Sequence, residues 1–139
     1  MKKIIGLSIA TALIGTLLLT SCATEDDPTA TPTSTDPRAK FHGNWSVAEN
    51  STDYGTSTYN CTITDSSDAS HIFIAYLYGF NKKIYSTVSG NTFVIPSQIV
   101  QGNSVSGSGT SVNANQINMT YLVRTTISHY DTVTAVLTK

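Results

Sequence analysis

The residues of this chain whose types could do chemistry are three histidines, Cys61, a serine–glycine run and a cluster of aromatic rings. His42, His71 and His129 stand at none of the spacings that bring imidazoles together on a zinc ion. His129-Tyr130-Asp131 puts an imidazole near a carboxylate, but alternation sends both side chains to the same edge of a turn, facing solvent. A hydrolase needs a nucleophile, a base and an orienting group. Ser106-Gly107-Ser108-Gly109 is no Gly-x-Ser-x-Gly elbow, and its alternating glycines suit a tightly curved corner where small residues let a sheet bend. Cys61 lies on the apolar face of its segment and reads as a small buried hydrophobe. No enzymatic activity, metal or cofactor is expected.

The aromatic set is Phe73, Tyr76, Tyr78, Phe80 and Tyr85. An extended chain through this region would carry Ile72, Ile74, Tyr76 and Tyr78 on one face and Phe73, Ala75 and Leu77 on the other. Both faces are apolar. Either the strand is buried on both sides, with tyrosine hydroxyls at a rim, or the rings form an exposed candidate patch for a partner or glycan.

The elements that must position these residues are strands. Residues 41–139 are rich in Thr, Ser, Val, Ile, Tyr and Asn and poor in good helix formers. Period-two alternation sets Tyr59, Cys61 and Ile63 against Thr58, Asn60, Thr62 and Thr64, and Ile117, Met119, Tyr121 and Val123 against Gln116, Asn118 and Thr120. Val133, Ala135 and Leu137 likewise oppose Thr132 and Thr134. With turn signals such as Gly79-Phe80-Asn81 and Ser89-Gly90-Asn91, the pattern predicts eight strands, near 43–49, 57–65, 71–78, 82–88, 91–96, 103–110, 116–125 and 130–138. Pro96 should end the fifth, since it cannot donate to a ladder. Eight short strands without crossover helices make an all-β, antiparallel meander, which must close or cover its edges. An eight-stranded up-and-down barrel is the expected architecture, and a two-sheet β-sandwich is the alternative. Charge is nearly balanced, with Lys82, Lys83, Arg124 and Lys139 against Glu49, Asp53, Asp65, Asp68 and Asp131, so nucleic acid is not an expected partner.

Gly43-Asn44-Trp45 at the start of the first strand resembles the Gly-x-Trp of lipocalins. The string from Val88 to Gln98, then Gly107-Ser108-Gly109-Thr110 and Ile117-Asn118-Met119-Thr120-Tyr121, resembles small lipocalin-like domains on Bacteroidetes lipoproteins. The resemblance spans nearly all of 41–139 and implies a lipocalin-like barrel. It also implies that Trp45 plugs one barrel end beneath a cation, with Arg124 or Lys139 as candidates. The later Thr-Asp-Tyr and arginine motifs of lipocalins are missing, so no ligand is carried over.

The N-terminus supplies an address. Lys2 and Lys3 precede an apolar stretch from Ile4 to Leu19, the pattern of a signal peptide (1–21) rather than a stable membrane span. Leu19-Thr20-Ser21-Cys22 resembles the lipobox of bacterial lipoproteins, which implies cleavage before Cys22 and a membrane anchor on its thiol. Glu25, Asp26 and Asp27 resemble the acidic export signal of surface-displayed Bacteroidetes lipoproteins. The alternative is a solvated linker start on the periplasm-facing side of the outer membrane. Residues 28–40 hold three prolines and five threonines or serines but no large apolar residue, so 22–40 is expected to be a disordered tether. The expected function is a membrane-anchored outer-envelope lipoprotein. Its barrel would be a non-catalytic binding module for a small apolar molecule, a glycan or an envelope protein; the alternative is a structural or interaction lipoprotein with a filled barrel and no small ligand.

Overall fold

Alternating apolar and polar residues leave an extended chain one face to hide, and here eight such chains hide it in a shared interior. The computed structural model describes residues 36–139; the expected signal sequence, Cys22, the Glu25–Asp27 run and the part of the expected tether up to residue 35 lie outside the described residues. The strands are β1 (Gly43–Ser51), β2 (Gly55–Asp65), β3 (His71–Ala75), β4 (Lys83–Ser89), β5 (Thr92–Val100), β6 (Asn103–Asn113), β7 (Gln116–Arg124) and β8 (Tyr130–Thr138). Each pairs antiparallel with the next and β8 returns to β1, closing an up-and-down barrel rather than a two-sheet sandwich. β1 turns Trp45, Val47, Glu49 and Ser51 inward, and β8 turns in Asp131, Val133, Ala135 and Leu137. Eight strands enclose a space that side chains can fill. Phe41, Trp45, Phe93 and Tyr121, with Ile63, Ile72, Ile74, Ile84, Ile95 and Ile117, are fully buried in it.

The end of the barrel where β1 begins is covered by the segment before it. Asp36–Lys40, expected in the tether, instead form a pinned turn. The Arg38 guanidinium donates to the Asp68 carbonyl at 2.5 Å and to Asp36 at 2.8 Å, and Lys40 Nζ donates to Asn91 Oδ1 at 2.5 Å. Beneath them Phe41 meets the Phe93 ring edge-on at 5.4 Å. Trp45, 1% exposed, donates its indole N–H to the Phe41 carbonyl at 2.8 Å, and Lys139 Nζ stands 4.4 Å from its ring centre. Arg124 is at the opposite end, over Tyr130.

Three local expectations change. The strand expected over 71–78 stops at Ala75, because Tyr76 (φ 67°) and Tyr78 (φ 55°) are left-handed and the chain turns through a short 3-10 segment. The apolar run there signals burial of Leu77 and Phe80, not an extended period. β5 continues through Pro96 to Val100: the proline lies in an irregularity between Ile95 and Gln98, and β4 pairs β5 only through Thr92–Val94, so no ladder there needs its missing N–H. Gly107 and Gly109 are no corner; they lie mid-strand in continuous register with Tyr121 and Met119. A Cβ on Gly109 would stand 2.3 Å from the Phe93 ring, and one on Gly107 2.5 Å from the Thr120 carbonyl oxygen. Their missing side chains leave room for neighbouring groups.

Candidate functional site

Inward alternation carries two carboxylates into the barrel at the end away from Trp45. Glu49 follows Trp45 and Val47 on the inner face of β1, and Asp131 opens the inner face of β8; they are 8% and 0% exposed. Tyr59 and Tyr121 hydroxyls each donate to Glu49 Oε2 at 2.6 Å, and Ser57 donates to Oε1 at 3.0 Å. Asp131 accepts from the hydroxyls of Tyr78 (2.6 Å), Ser51 (2.7 Å) and Thr52 (2.9 Å) and from the Asp53 N–H at 3.2 Å. Burial by itself would raise the Asp131 carboxyl, but the hydroxyls of Ser51, Tyr78 and Thr52 and the Asp53 N–H outweigh it and hold the group below its ordinary range. Burial, then hydrogen bonding to the carboxylates, pushes the Tyr59 and Tyr78 phenols above theirs; for Tyr121 burial and the neighbouring Tyr59 lead.

Chemically these are buried acceptors surrounded by neutral donors, with three hydrogen bonds to Glu49 and four to Asp131. The phenols stay protonated. The network holds structure: Tyr78 gives its N–H to the Tyr59 hydroxyl at 2.9 Å and its own hydroxyl to Asp131, fastening the left-handed turn after β3 across the barrel mouth. Asp131 therefore does not face solvent beside His129, as expected of that tripeptide. His129 alone stays outside, 2.7 Å from Asp53. Glu49 was not singled out in the sequence and Asp131 only as a solvent-facing partner of His129, although Trp45-Val47-Glu49 and Asp131-Val133-Ala135 place both in the inward phase.

The aromatic set divides. Phe73 and Tyr85 lie half-buried on the outer wall, rings 6.0 Å apart, with His71 stacked on Tyr85 at 4.5 Å and Lys83 over Phe73 at 5.5 Å. Tyr78 and Phe80 are 5.4 Å apart in the mouth, with Phe80 buried, while Tyr76 is 55% exposed on the turn. The five rings make no single surface patch. Each histidine has its own aspartate: His42 with Asp65 at 2.6 Å, His71 with Asp68, and His129 with Asp53. Among the described residues no three His, Cys, Asp or Glu side chains come close enough to hold a metal ion. Cys61 is buried, and burial pushes its thiol up to about 12, away from the reactive thiolate.

A concave surface lies on the outer wall, where β6, β7, β8, β1 and β2 form a broad groove of about 940 Å³. Strand register aligns its lining in two rows. One is Thr110, Asn118, Val136, Ala48 and Thr58, and the other is Ser108, Thr120, Thr134, Asn50 and Thr56. All ten are exposed. Glu49 is the one ionisable residue of the lining, and its carboxylate is held inside the barrel by Tyr59 and Tyr121. The groove thus offers hydroxyls, amides and methyl groups, with no free charge. Sequence alternation marked Thr58, Asn118, Thr120 and Thr134 as polar-face residues but did not show that they line a concave surface.

No family model matches the chain, and no curated protein matches it by sequence. Similar solved structures are β-barrels. One is a redesigned β-barrel, b11L5F_LGL, with TM-score 0.55 and 15% identity, covering 75% of this chain and 95% of that one. Another is EF1p2_mFAP2b bound to DFHBI, with TM-score 0.54 and 14% identity, covering 75% of this chain and 98% of that one. At such identities the likeness concerns the fold, an eight-stranded lipocalin-like barrel.

Proposed function

We propose that this protein is a Bacteroidetes-type lipoprotein, anchored through Cys22 to the outer membrane, whose barrel is a non-catalytic binding module for a neutral glycan. One observation carries the ligand class: the outer groove lined by exposed Thr, Ser and Asn rows without a free charge. Hydroxyls and amides can exchange hydrogen bonds with sugar hydroxyls, while Ala48, Val136 and the threonine methyls meet sugar C–H faces. Its volume is at the upper end of the roughly 300–1,000 Å³ of small-ligand sites, and its length over five strands suits an extended ligand. A barrel of similar fold is bound to DFHBI, so the fold is compatible with a small ligand. Here Trp45, Phe41, Phe93 and Tyr121 occupy the interior, which favours the outer wall. That filled interior also suits a second reading, a structural or interaction lipoprotein with no small ligand.

The lipobox-like Leu19-Thr20-Ser21-Cys22 supports the anchor, and Glu25, Asp26 and Asp27 support display on the cell surface over the periplasm-facing side. An array of neutral oligosaccharides probed with the full chain tests the ligand. Binding should be present in the parent and lost in Thr134→Lys, which places a charge in the groove without touching the core. An array without signal would favour the second reading, and binding retained by Thr134→Lys would remove the groove. Mass spectrometry of the cellular protein should find Cys22 acylated; an unmodified Cys22 would remove the anchor.

A further inference from the structure

The barrel wall has two gaps, one on each side of the β3–β4 hairpin, both toward the end away from Trp45. Between β4 and β5 the ladder covers only Thr87–Ser89 against Thr92–Val94. That gap is filled. Gln98 Oε1 accepts the Tyr85 N–H at 3.1 Å and its Nε2 donates to the Tyr85 carbonyl at 2.7 Å, so a side-chain amide replaces a missing strand. Pro96 and Lys83 add two further residues that discourage pairing with another chain.

The gap between β2 and β3 is different. Their ladder runs only from Thr62 to Asp65, and Gly55–Cys61 pair with β1 alone. Among the described residues no main-chain hydrogen bond reaches Gly55–Cys61 from the β3 side. The groups left free can be named. Thr52 N–H donates to the Thr132 carbonyl, so even-numbered residues of β1 face β8 and odd-numbered ones face β2. The odd residues Ser51, Glu49 and Val47 stand opposite Gly55, Ser57 and Tyr59. Thr56, Thr58 and Asn60 therefore turn their N–H and C=O groups away from β1, toward the open edge. All three are exposed. From Gly55 to Cys61 there is no charge, no proline and no bulge, the devices by which sheet edges avoid pairing.

We propose that this edge is where two copies of the chain join, β2 pairing antiparallel with β2 of a second copy about a two-fold axis at Thr58. An antiparallel strand pair is self-complementary under such an axis. It sets Thr58 opposite Thr58 and Thr56 opposite Asn60, all in the phase whose main-chain groups are free, so each pair exchanges two hydrogen bonds. A charged edge would meet its own charge across the axis, a cost that this neutral segment avoids. Segment neutrality also gives a foreign partner no charge to recognise, which favours the chain's own copy. Thr56 and Thr58 end the two rows of the outer groove, so the pairing would run the grooves of two copies into one ten-stranded neutral face. The pairing itself does not depend on what that face binds.

Sedimentation velocity of the mature chain beginning after Cys22, which carries neither the apolar Ile4–Leu19 stretch nor a lipid that would gather copies in a shared micelle, tests this. The parent should shift from monomer to dimer as concentration rises into the high micromolar range. Thr58→Pro removes an edge-facing N–H while leaving the β1 ladder intact, and should remain monomeric throughout. Thr58→Lys, which opposes two ammonium groups across the axis, should do the same. Emission from Trp45 reports that each variant is folded, and either folded variant suffices. A parent that stays monomeric overturns the proposal, as does a dimer that survives in a folded variant.

Discussion

Removing the Trp45 side chain should cost this barrel much of its stability, and the size of the loss can be worked from the structure. The ring is 1% exposed and lies among Phe41, Val47, Leu137 and the isoleucines of one apolar cluster. Truncating so large a buried aromatic to alanine typically costs about 3–5 kcal/mol. Trp45→Ala also leaves the buried Phe41 carbonyl without its 2.8 Å donor, adding about 1 kcal/mol. The contact with the Lys139 ammonium adds about 0.5–1 kcal/mol. Against the roughly 5–15 kcal/mol that holds a whole domain, the sum is a large share. Near 100 residues, about 1 kcal/mol corresponds to 4–8 °C, so the melting temperature should fall by about 20 °C or more. Trp45→Phe keeps an aromatic ring but loses the indole donor, and should fall by roughly a third as much. Far-UV circular dichroism follows both melts. Because the chain has one tryptophan, the parent's emission should also be blue-shifted and resistant to iodide. A Trp45→Ala midpoint within a few degrees of the parent, or iodide-accessible emission in the parent, would refute the burial argument.

Three further outcomes follow from the same packing. Gly109→Ala should destabilise by about 1–3 kcal/mol through overpacking, since its Cβ would stand 2.3 Å from the Phe93 ring; pairing it with Phe93→Leu should recover much of the melting temperature. Acid should unfold the barrel. The folded Asp131 carboxyl sits below its ordinary value, so the stability it contributes is complete above about pH 4 and declines as pH falls through the folded value; Asp36, held by Arg38, and Asp68, held by His71, both near 2, act in the same direction. Asp131→Asn should therefore melt earlier than the parent at pH 7 and lose less on further acidification, as differential scanning calorimetry at stepped pH would record; a parent whose melting temperature is unchanged from pH 7 to pH 2 would contradict this. Cys61 should stay unmodified by a thiol reagent until the protein is denatured, and modification at the rate of a free thiol would show that its strand opens readily.

Much of the fold was legible because a half-buried strand writes its orientation into every second residue. Tyr59-Cys61-Ile63, Ile117-Met119-Tyr121-Val123 and Val133-Ala135-Leu137 named their strands and inner faces without any tertiary knowledge. The absence of crossover helices made the sheet antiparallel. Where burial is total, that local code fails: Leu77 and Phe80 are buried from a turn, not a strand, and an apolar run does not distinguish the two. The return of β8 to β1 was decided only in three dimensions, because it depends on pairing between residues about 90 positions apart. So was the burial of Glu49 and Asp131. A carboxylate in the inward phase is tolerated only where hydroxyls from other strands converge on it, and Tyr59, Tyr78 and Tyr121 come from three separate parts of the chain. The groove and the open β2 edge are likewise tertiary facts. Threonines that alternate along one strand look alike in sequence, and only register across five strands aligns them in rows, just as only the short β3 leaves Thr56, Thr58 and Asn60 without a partner.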